Sequence, residues 1–150
     1  MTFRTARRED VPAILTLLAD DEISRSRPVT SEAADAAVWA AFEEIDADPR
    51  NELIVAEDQT GAVAGTCQLT FTPSLSRGGT ERMTIEAVRV RSDLRGQGAG
   101  RAMMTWALNR ARERGCGLAQ LTTDKRRTDA HRFYDSLGFE ASHLGFKIRL

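Results

Sequence analysis

The sequence predicts a mixed α/β fold of the α+β kind, and three observations carry that expectation. Apolar residues recur at helical spacing in four stretches and alternate at strand spacing in several others. Two alternating runs, NELIVAED and AVAGTCQLTF, are joined by QTG and form a hairpin signal in the first half. In the second half MTIEAVRV, a glycine-rich loop, a helical stretch and LAQLTT make one β-α-β unit. Together they predict a mostly antiparallel sheet of six to seven strands flanked by about four helices.

Each element has its own justification. TFRTA alternates as a short first strand. From Glu9 the spacing becomes helical, with Val11, Ile14, Leu15 and Leu18 on one face and Pro12 in the first turn, where its missing N–H costs nothing. The polar stretch DDEISRSRPV breaks that pattern. A second helix begins after Thr30 or Ser31, carries Ala34, Val38, Ala41 and Ile45 on one face, and ends before Pro49. After the hairpin, TPSLSRGG is loop by composition. A third helix runs from about Gly98 to Arg114, with Met104, Ala107, Leu108 and Ala111 as its stripe and Gly115 and Gly117 ending it. TDAHRFYDSLG is a shorter helix, and the tail to Leu150 is expected to add one or two strands.

A length of 150 residues suits one domain, residues 1–150, and no internal repeat or low-complexity linker divides it. A net charge of −1 argues against general nucleic-acid affinity. The charge is uneven, however. Acidic residues gather in 31–60, whereas Arg89, Arg91, Arg95 and Arg101, then Lys125, Arg126, Arg127 and Arg132, form basic segments. Local basic patches on a near-neutral chain suit a small anionic ligand. Cys67 and Cys116 fall in no C-x-x-C or zinc spacing, so reduced thiols and no metal site are expected. MTFRTARRED lacks a signal-peptide apolar run, and no segment approaches the ~20 apolar residues of a membrane span. The expected compartment is the cytoplasm, with no membrane partner.

The stretch RGQGAGR, residues 95–101, is not favoured by folding alone, because glycine is poor in helices and arginines repel. Glycine admits positive φ and leaves no Cβ between backbone and ligand. Successive N–H groups can then converge on an anion, reinforced by the start of the following helix. The arrangement fits a diphosphate, with Arg95 and Arg101 neutralising charge; the alternative is a glycine-rich turn whose arginines face water. A Walker A loop is excluded, since Gly100 is followed by Arg101 and Ala102. The dinucleotide pattern is one residue too long for G-Q-G-A-G, with only Asp124 in its favour. The pattern [Q/R]-x-x-G-x-[G/A] is met position by position by Arg95-Gly96-Gln97-Gly98-Ala99-Gly100.

With TIEAVRVRSDLRGQGAGRAMMTWAL, LAQLTT and AHRFYDSLGF at their spacing, the chain resembles the GNAT superfamily of acyl-CoA-dependent N-acetyltransferases over essentially its whole length. The resemblance implies a sheet splayed between strands 83–90 and 118–123. Acetyl-CoA would lie in the gap, its pyrophosphate on Arg95, Gly96, Gln97, Gly98, Ala99, Gly100 and Arg101. It implies that the backbone of Val88, Arg89 and Val90 pairs with the pantetheine arm, and that N–H groups near Val88 hold the oxyanion. Relatives often carry asparagine seven residues before the tyrosine; here Arg127 stands in that cofactor-facing position.

Acetyl transfer to an amine requires loss of a proton from a group whose free pKa is about 10. Glu86 is the expected base. Strict alternation would set it on one face with Thr84, Val88 and Val90, where partial desolvation would raise its pKa. The alternative is a glutamate facing solvent or paired with Arg82. Tyr134 matches the family's tyrosine near the thioester sulfur. A phenol sits about 1.5 pKa units above a thiol, so proton transfer is uphill by roughly 2 kcal/mol. Tyr134 therefore needs a lowered pKa, or acts as a hydrogen-bond donor. His131 is expected to be an exposed helical histidine, the alternative being contact with the cofactor, and His143 to be structural. Cys67 lacks an activating base in sequence and is expected to be a buried small hydrophobe, which favours direct transfer in a ternary complex. The acceptor would be a small-molecule or peptide amine; Asp20, Asp21 and Glu22 either attract its cationic form or are simply a solvated helix end. A non-catalytic acyl-CoA-binding sensor is the rival function, and the C-terminal SHLGFKIRL is a possible homodimer surface.

Overall fold

The computed structural model describes residues 1–20 and 32–150, without the side chains of 32–34. The elements are β1 (Thr2–Thr5), α1 (Val11–Ala19), α2 (Glu32–Ala47), β2 (Asn51–Glu57), β3 (Val63–Thr72), β4 (Arg82–Val90), α3 (Ala99–Glu113), β5 (Leu118–Leu121) and α4 (Thr128–Ser136). The expected helix start at Thr30 or Ser31, the place of Ala34, and the acidic pair Asp21 and Glu22 lie outside what is described.

The strands lie in the order β1-β2-β3-β4-β5. The first four run antiparallel and β5 joins β4 in parallel. The predicted mixed, mostly antiparallel sheet is therefore present, but it has five strands among the described residues, not six or seven. The difference is the tail. Residues 140–150 enter no ladder, and 141–150 are exposed throughout.

The main core lies between the sheet and α3. Ile54 of β2, Cys67, Leu69 and Phe71 of β3, and Met83 and Ile85 of β4 are buried against Met103, Met104, Ala107 and Ala111. The helix stripe thus includes Met103, while Leu108 is only half-buried. On the other face Ala6 and Ile14 pack on Val55. The corresponding α1 stripe uses Leu17 rather than Leu15, which is exposed, and in α2 the buried position is Phe42, with Ala41 outside. These shifts of one or two positions arise because a wide apolar sector leaves its exact centre to the partner surface.

Asp10 anchors the entry to α1. Its carboxylate accepts two hydrogen bonds from the Arg4 guanidinium, at 2.7 and 3.0 Å, and one from the Arg7 amide at 2.7 Å. Arg4 also reaches Glu57 on β2. The Arg4 hydrogen bond holds the Asp10 carboxyl below its ordinary range, against the opposing effect of burial. A depressed folded pKa stabilises the fold above the unfolded value near 3.9, and that stability is lost as pH falls through the folded value. Asp10→Ala should cost about 2 kcal/mol of unfolding free energy at pH 7. The difference between variant and native protein in urea melts should shrink as the pH drops below about 4.

Candidate active site

Strand β4 changes character halfway along. Its first residues pair on both sides, with β3 and with β5, but the β5 pairing ends at Ile85↔Leu121. From Glu86 to Val90 the side facing β5 is open, which is the expected splay. On the β3 side the register slips by one residue, because Glu86 stands opposite Gln68 and Arg89 opposite Thr66. Ala87 takes up the extra residue with a φ of 54°, a left-handed conformation uncommon for alanine.

This bulge corrects the expected side-chain pattern. Met83 and Ile85 face α3, and beyond the bulge Val88 and Val90 pack on that same core. Glu86 therefore does not share a face with the two valines. It is exposed, so they supply none of the desolvation that strict alternation predicted. The bulge also directs the backbone. The Arg91 amide bonds to the Ala64 carbonyl at 2.8 Å, so alternate residues Val90 and Val88 turn their N–H and C=O groups away from β3, towards the gap. Their carbonyls accept hydrogen bonds from guanidinium groups, Val88 from Arg89 at 2.8 Å and Val90 from Arg95 at 3.0 Å.

The glycine loop closes one end of the gap. Gly96 and Gly98 have φ of 74° and 85°. A Cβ on either would meet nothing within 4 Å, so these glycines are required by backbone conformation and not by crowding. Gly100 differs. A Cβ there would lie 3.4 Å from Cζ of Phe133 and 3.9 Å from Cγ2 of Val90, ordinary contact distances at the point where α3 packs on α4 and β4. Gly98 is the N-cap residue of α3 and no side chain caps that end. The first-turn amides of a 15-residue helix are thus left for a ligand, at the positive end of its dipole. Arg95 and Arg101 flank the loop. Arg95 also donates to the Asp20 carbonyl and carboxylate at 3.1 and 3.2 Å, and Arg101 donates to Oγ of Ser136 at 2.9 Å.

Helix α4 brings Tyr134 to the same core edge. Its ring packs against Phe133 and Phe139, with centroids 5.3 and 5.9 Å away. Burial pushes the phenol above its ordinary pKa, opposed by the nearby charges of Arg89 and Arg127. A lowered pKa does not arise, so the hydroxyl is suited to donate a hydrogen bond. Arg127 occupies the N-cap of α4, where its carbonyl accepts from the His131 amide at 3.2 Å. The His131 ring bonds the Asp124 carbonyl at 3.2 Å, a structural role. His143 bonds Oγ of Ser142 on the exposed tail.

Cys67 lies behind the bulge, fully buried, and desolvation pushes its thiol up to about 12. Such a thiol is protonated at neutral pH and is a poor nucleophile. Cys67→Ser should therefore leave turnover within about threefold of native, while the native protein resists alkylation at Cys67 at about pH 8. A mass spectrum of the iodoacetamide-treated protein checks the second outcome. Among the described residues no three His, Cys, Asp or Glu side chains gather into a metal-binding group, and no helix is long and apolar enough to cross a membrane.

Sequence reasoning did not find which residues hold the loop in place, and gave Asp20 a role towards the acceptor instead. Asp20 ties Arg95 to the end of α1, the Asp93 carbonyl accepts from the side-chain Nε2–H of Gln97 at 2.6 Å, and Phe133 packs beneath Gly100. Asp20 and Asp93 give no motif signal, because their partners lie across the fold or use main-chain atoms. Phe133, next to the tyrosine at a helical stop, is the one that a packing argument could have found.

The chain is similar to solved and curated proteins. A crystal structure of a transcriptional regulator from Bacillus halodurans C-125 superimposes with a TM-score of 0.93 at 47% identity, over 99% of both chains. An aminoalkylphosphonate N-acetyltransferase of Salmonella typhimurium is 40% identical over 62 residues, which is 41% of this chain and 40% of the relative. A glucosamine 6-phosphate N-acetyltransferase of Trypanosoma brucei brucei is 31% identical over 91 residues, 61% of this chain and 60% of the relative. The chain thus spans about two-fifths and three-fifths of the lengths of these curated relatives. The family model for the acetyltransferase (GNAT) family matches residues 13–139, from within α1 to Phe139, whose ring lies beside Tyr134. The splayed sheet, the glycine loop at an uncapped helix start and this match lead to one conclusion: the chain belongs to the GNAT family of acetyltransferases.

Proposed function

We propose that the protein transfers an acetyl group from acetyl-CoA to a primary amine by direct attack in a ternary complex. The observation that carries this is the meeting of two backbone surfaces, a helix start without a side-chain cap and a strand edge without a strand partner. The amides of the 96–101 loop and the open edge of β4 at Val88 and Val90 border one gap. The first surface suits linked phosphates, and the second suits an amide-bearing arm added as a strand.

In this reading the amine nitrogen attacks the thioester carbon, the C–S bond breaks, and the sulfur leaves as a thiolate. The Val88 N–H is the donor for the carbonyl oxygen as it gains charge. The Tyr134 hydroxyl donates a hydrogen bond to the leaving sulfur. Glu86 begins the open stretch of β4 and is its one acidic residue. Its carboxylate attracts the ammonium form and passes the amine's proton to water, a role suited to an exposed group. Arg89 and Arg127 keep the Tyr134 surroundings positive as the thiolate forms. Cys67 takes no part.

The acceptor we propose is a small amine bearing an anionic group. Support comes from the names of the two curated relatives, whose substrates join an amine to a phosphonate or a phosphate. The name of the Bacillus halodurans relative favours a second reading, an acyl-CoA-responsive binding module without turnover.

Thiol release from acetyl-CoA decides between them. Purified protein is offered aminoalkylphosphonates, hexosamine phosphates, polyamines, amino acids and peptides. Steady release with an amine, falling about 100-fold in Glu86→Gln while CoA affinity holds, is the expected result. Tight CoA binding with no release from any amine would establish the binding module. Equal rates in Glu86→Gln and native protein would remove Glu86 from the reaction.

A further inference from the structure

The sheet face opposite α3 is polar over one half. Met83 and Ile85 of β4 point into the α3 core, so Arg82, Thr84 and Glu86 point the other way. Directly across from them on β3 stand Thr72, Thr70 and Gln68. None of these six residues is fully buried, although Leu69, Phe71, Met83 and Ile85 between them are. Where a helix covers this face the contact is apolar, as Ile14 on Val55 shows. A polar row on two central strands calls for a polar partner.

The uncharged members of the row are satisfied from within. Oδ1 of Asn51 accepts from Nε2 of Gln68 at 3.1 Å and from Oγ1 of Thr70 at 3.0 Å. Oγ1 of Thr84 accepts from Nε2 of Gln120 at 3.1 Å, which leaves the threonine proton to donate elsewhere. The two charges are not satisfied. Arg82 and Glu86 lie four strand steps apart, about 13 Å between Cα atoms. Neither has a hydrogen bond or an ion pair among the described residues, and they do not pair with each other. Glu81, the nearest carboxylate in sequence to Arg82, is taken by Arg114 at 2.6 Å. Moreover, Nε of Arg82 is buried without an acceptor. An arginine that merely rested on the surface would keep that donor in water, since a buried unmade hydrogen bond is costly.

We infer that Arg82 sets the choice of acceptor: its guanidinium receives the anionic group of the amine, while Glu86 meets the ammonium end. An unpaired cation and an unpaired anion on one face, with the Thr84 hydroxyl between them, complement a molecule that carries both charges. The planar guanidinium fork suits a phosphate or phosphonate, and the Thr84 proton adds a donor to the same group. The ammonium end then points along β4 towards its open stretch at Val88. The inference rests on the reading of the protein as an acetyltransferase for anionic amines, and names the residue that reads the anion.

Two matched pairs of amines test it: glucosamine 6-phosphate against glucosamine, and 2-aminoethylphosphonate against ethylamine. Thiol release from acetyl-CoA gives kcat/KM for each. The native protein is expected to prefer the anionic member of at least one pair, and Arg82→Gln to shrink that preference by about 30-fold. For the anionic amine the loss should fall on KM, with kcat within about threefold, because the anion is held alike in ground and transition states. Arg82→Lys keeps the charge and loses the fork, and should shrink the preference by only about fivefold; it carries the test if Arg82→Gln does not fold. Thermal unfolding separates recognition from folding: a lowered melting temperature with an unaltered preference would make Arg82 a structural residue. Native protein without preference in either pair, or a preference that both variants keep whole, overturns the inference and leaves acetyl transfer standing. If no amine releases thiol, titration calorimetry with the same four amines and CoA-loaded protein decides. Preferential binding of an anionic amine that Arg82→Gln abolishes then removes acetyl transfer and keeps the role of Arg82, and absence of binding overturns both.

Discussion

Gly98→Val is expected to weaken coenzyme A binding by about 10- to 100-fold, the largest effect on affinity of any single change in the loop. At φ 85° a β-branched residue is a steric outlier, and the left-handed conformation costs a residue with a Cβ roughly 1–2 kcal/mol. The loop relieves that cost by rotating the peptide, which turns its amides away from the phosphate position. Nothing crowds the Cβ, so the loss comes from backbone conformation. Gly100→Ala is the matched control. Its Cβ would make ordinary contact with Phe133, and alanine is favoured over glycine within a helix by about 1 kcal/mol. It should bind coenzyme A like the native protein and melt at the same temperature or higher. Titration calorimetry and thermal unfolding of both variants check the pair. Native affinity in Gly98→Val would show that the amides are not the phosphate ligand.

Tyr134→Phe is expected to reduce turnover by about 10- to 100-fold, with affinity for coenzyme A unchanged. The ring keeps its packing against Phe133 and Phe139, and only the hydroxyl is lost. The pH profile carries the sharper outcome. Burial raises the phenol above its ordinary value near 10, so the donor stays protonated throughout the neutral and mildly alkaline range. Turnover by the native enzyme should therefore show no loss up to about pH 9 that is absent from Tyr134→Phe. A descending limb near pH 8 that vanishes in the variant would mean that the tyrosine ionises there, contrary to its environment.

Much of the fold is legible in the sequence because its signals are local. The hairpin of β2 and β3 follows from alternation and from QTG, where Gly61 takes the left-handed φ of 83°. Helix α3 follows from its stripe, and its start from Gly98. The tail defeats the same reasoning for the opposite cause. SHLGFKIRL alternates as well as any strand in the chain, but a strand exists only where a partner edge accepts its hydrogen bonds, and among the described residues the tail pairs with none. The site divides in the same way. The glycine loop declares itself by residue type. The face of Glu86 does not, because one extra residue at Ala87 reverses the alternation beyond it.

By itself the sequence determined the class of fold, the loop with its two conformationally required glycines, and the tyrosine near the end of the last helix. These depend on short-range backbone preference and on spacing along one chain. Only the tertiary structure decided which carboxylate is exposed, which carbonyls the arginines cap, and that the Tyr134 phenol is harder to ionise. Those properties depend on which strand pairs with which, and on how much water each group retains once distant segments have packed around it.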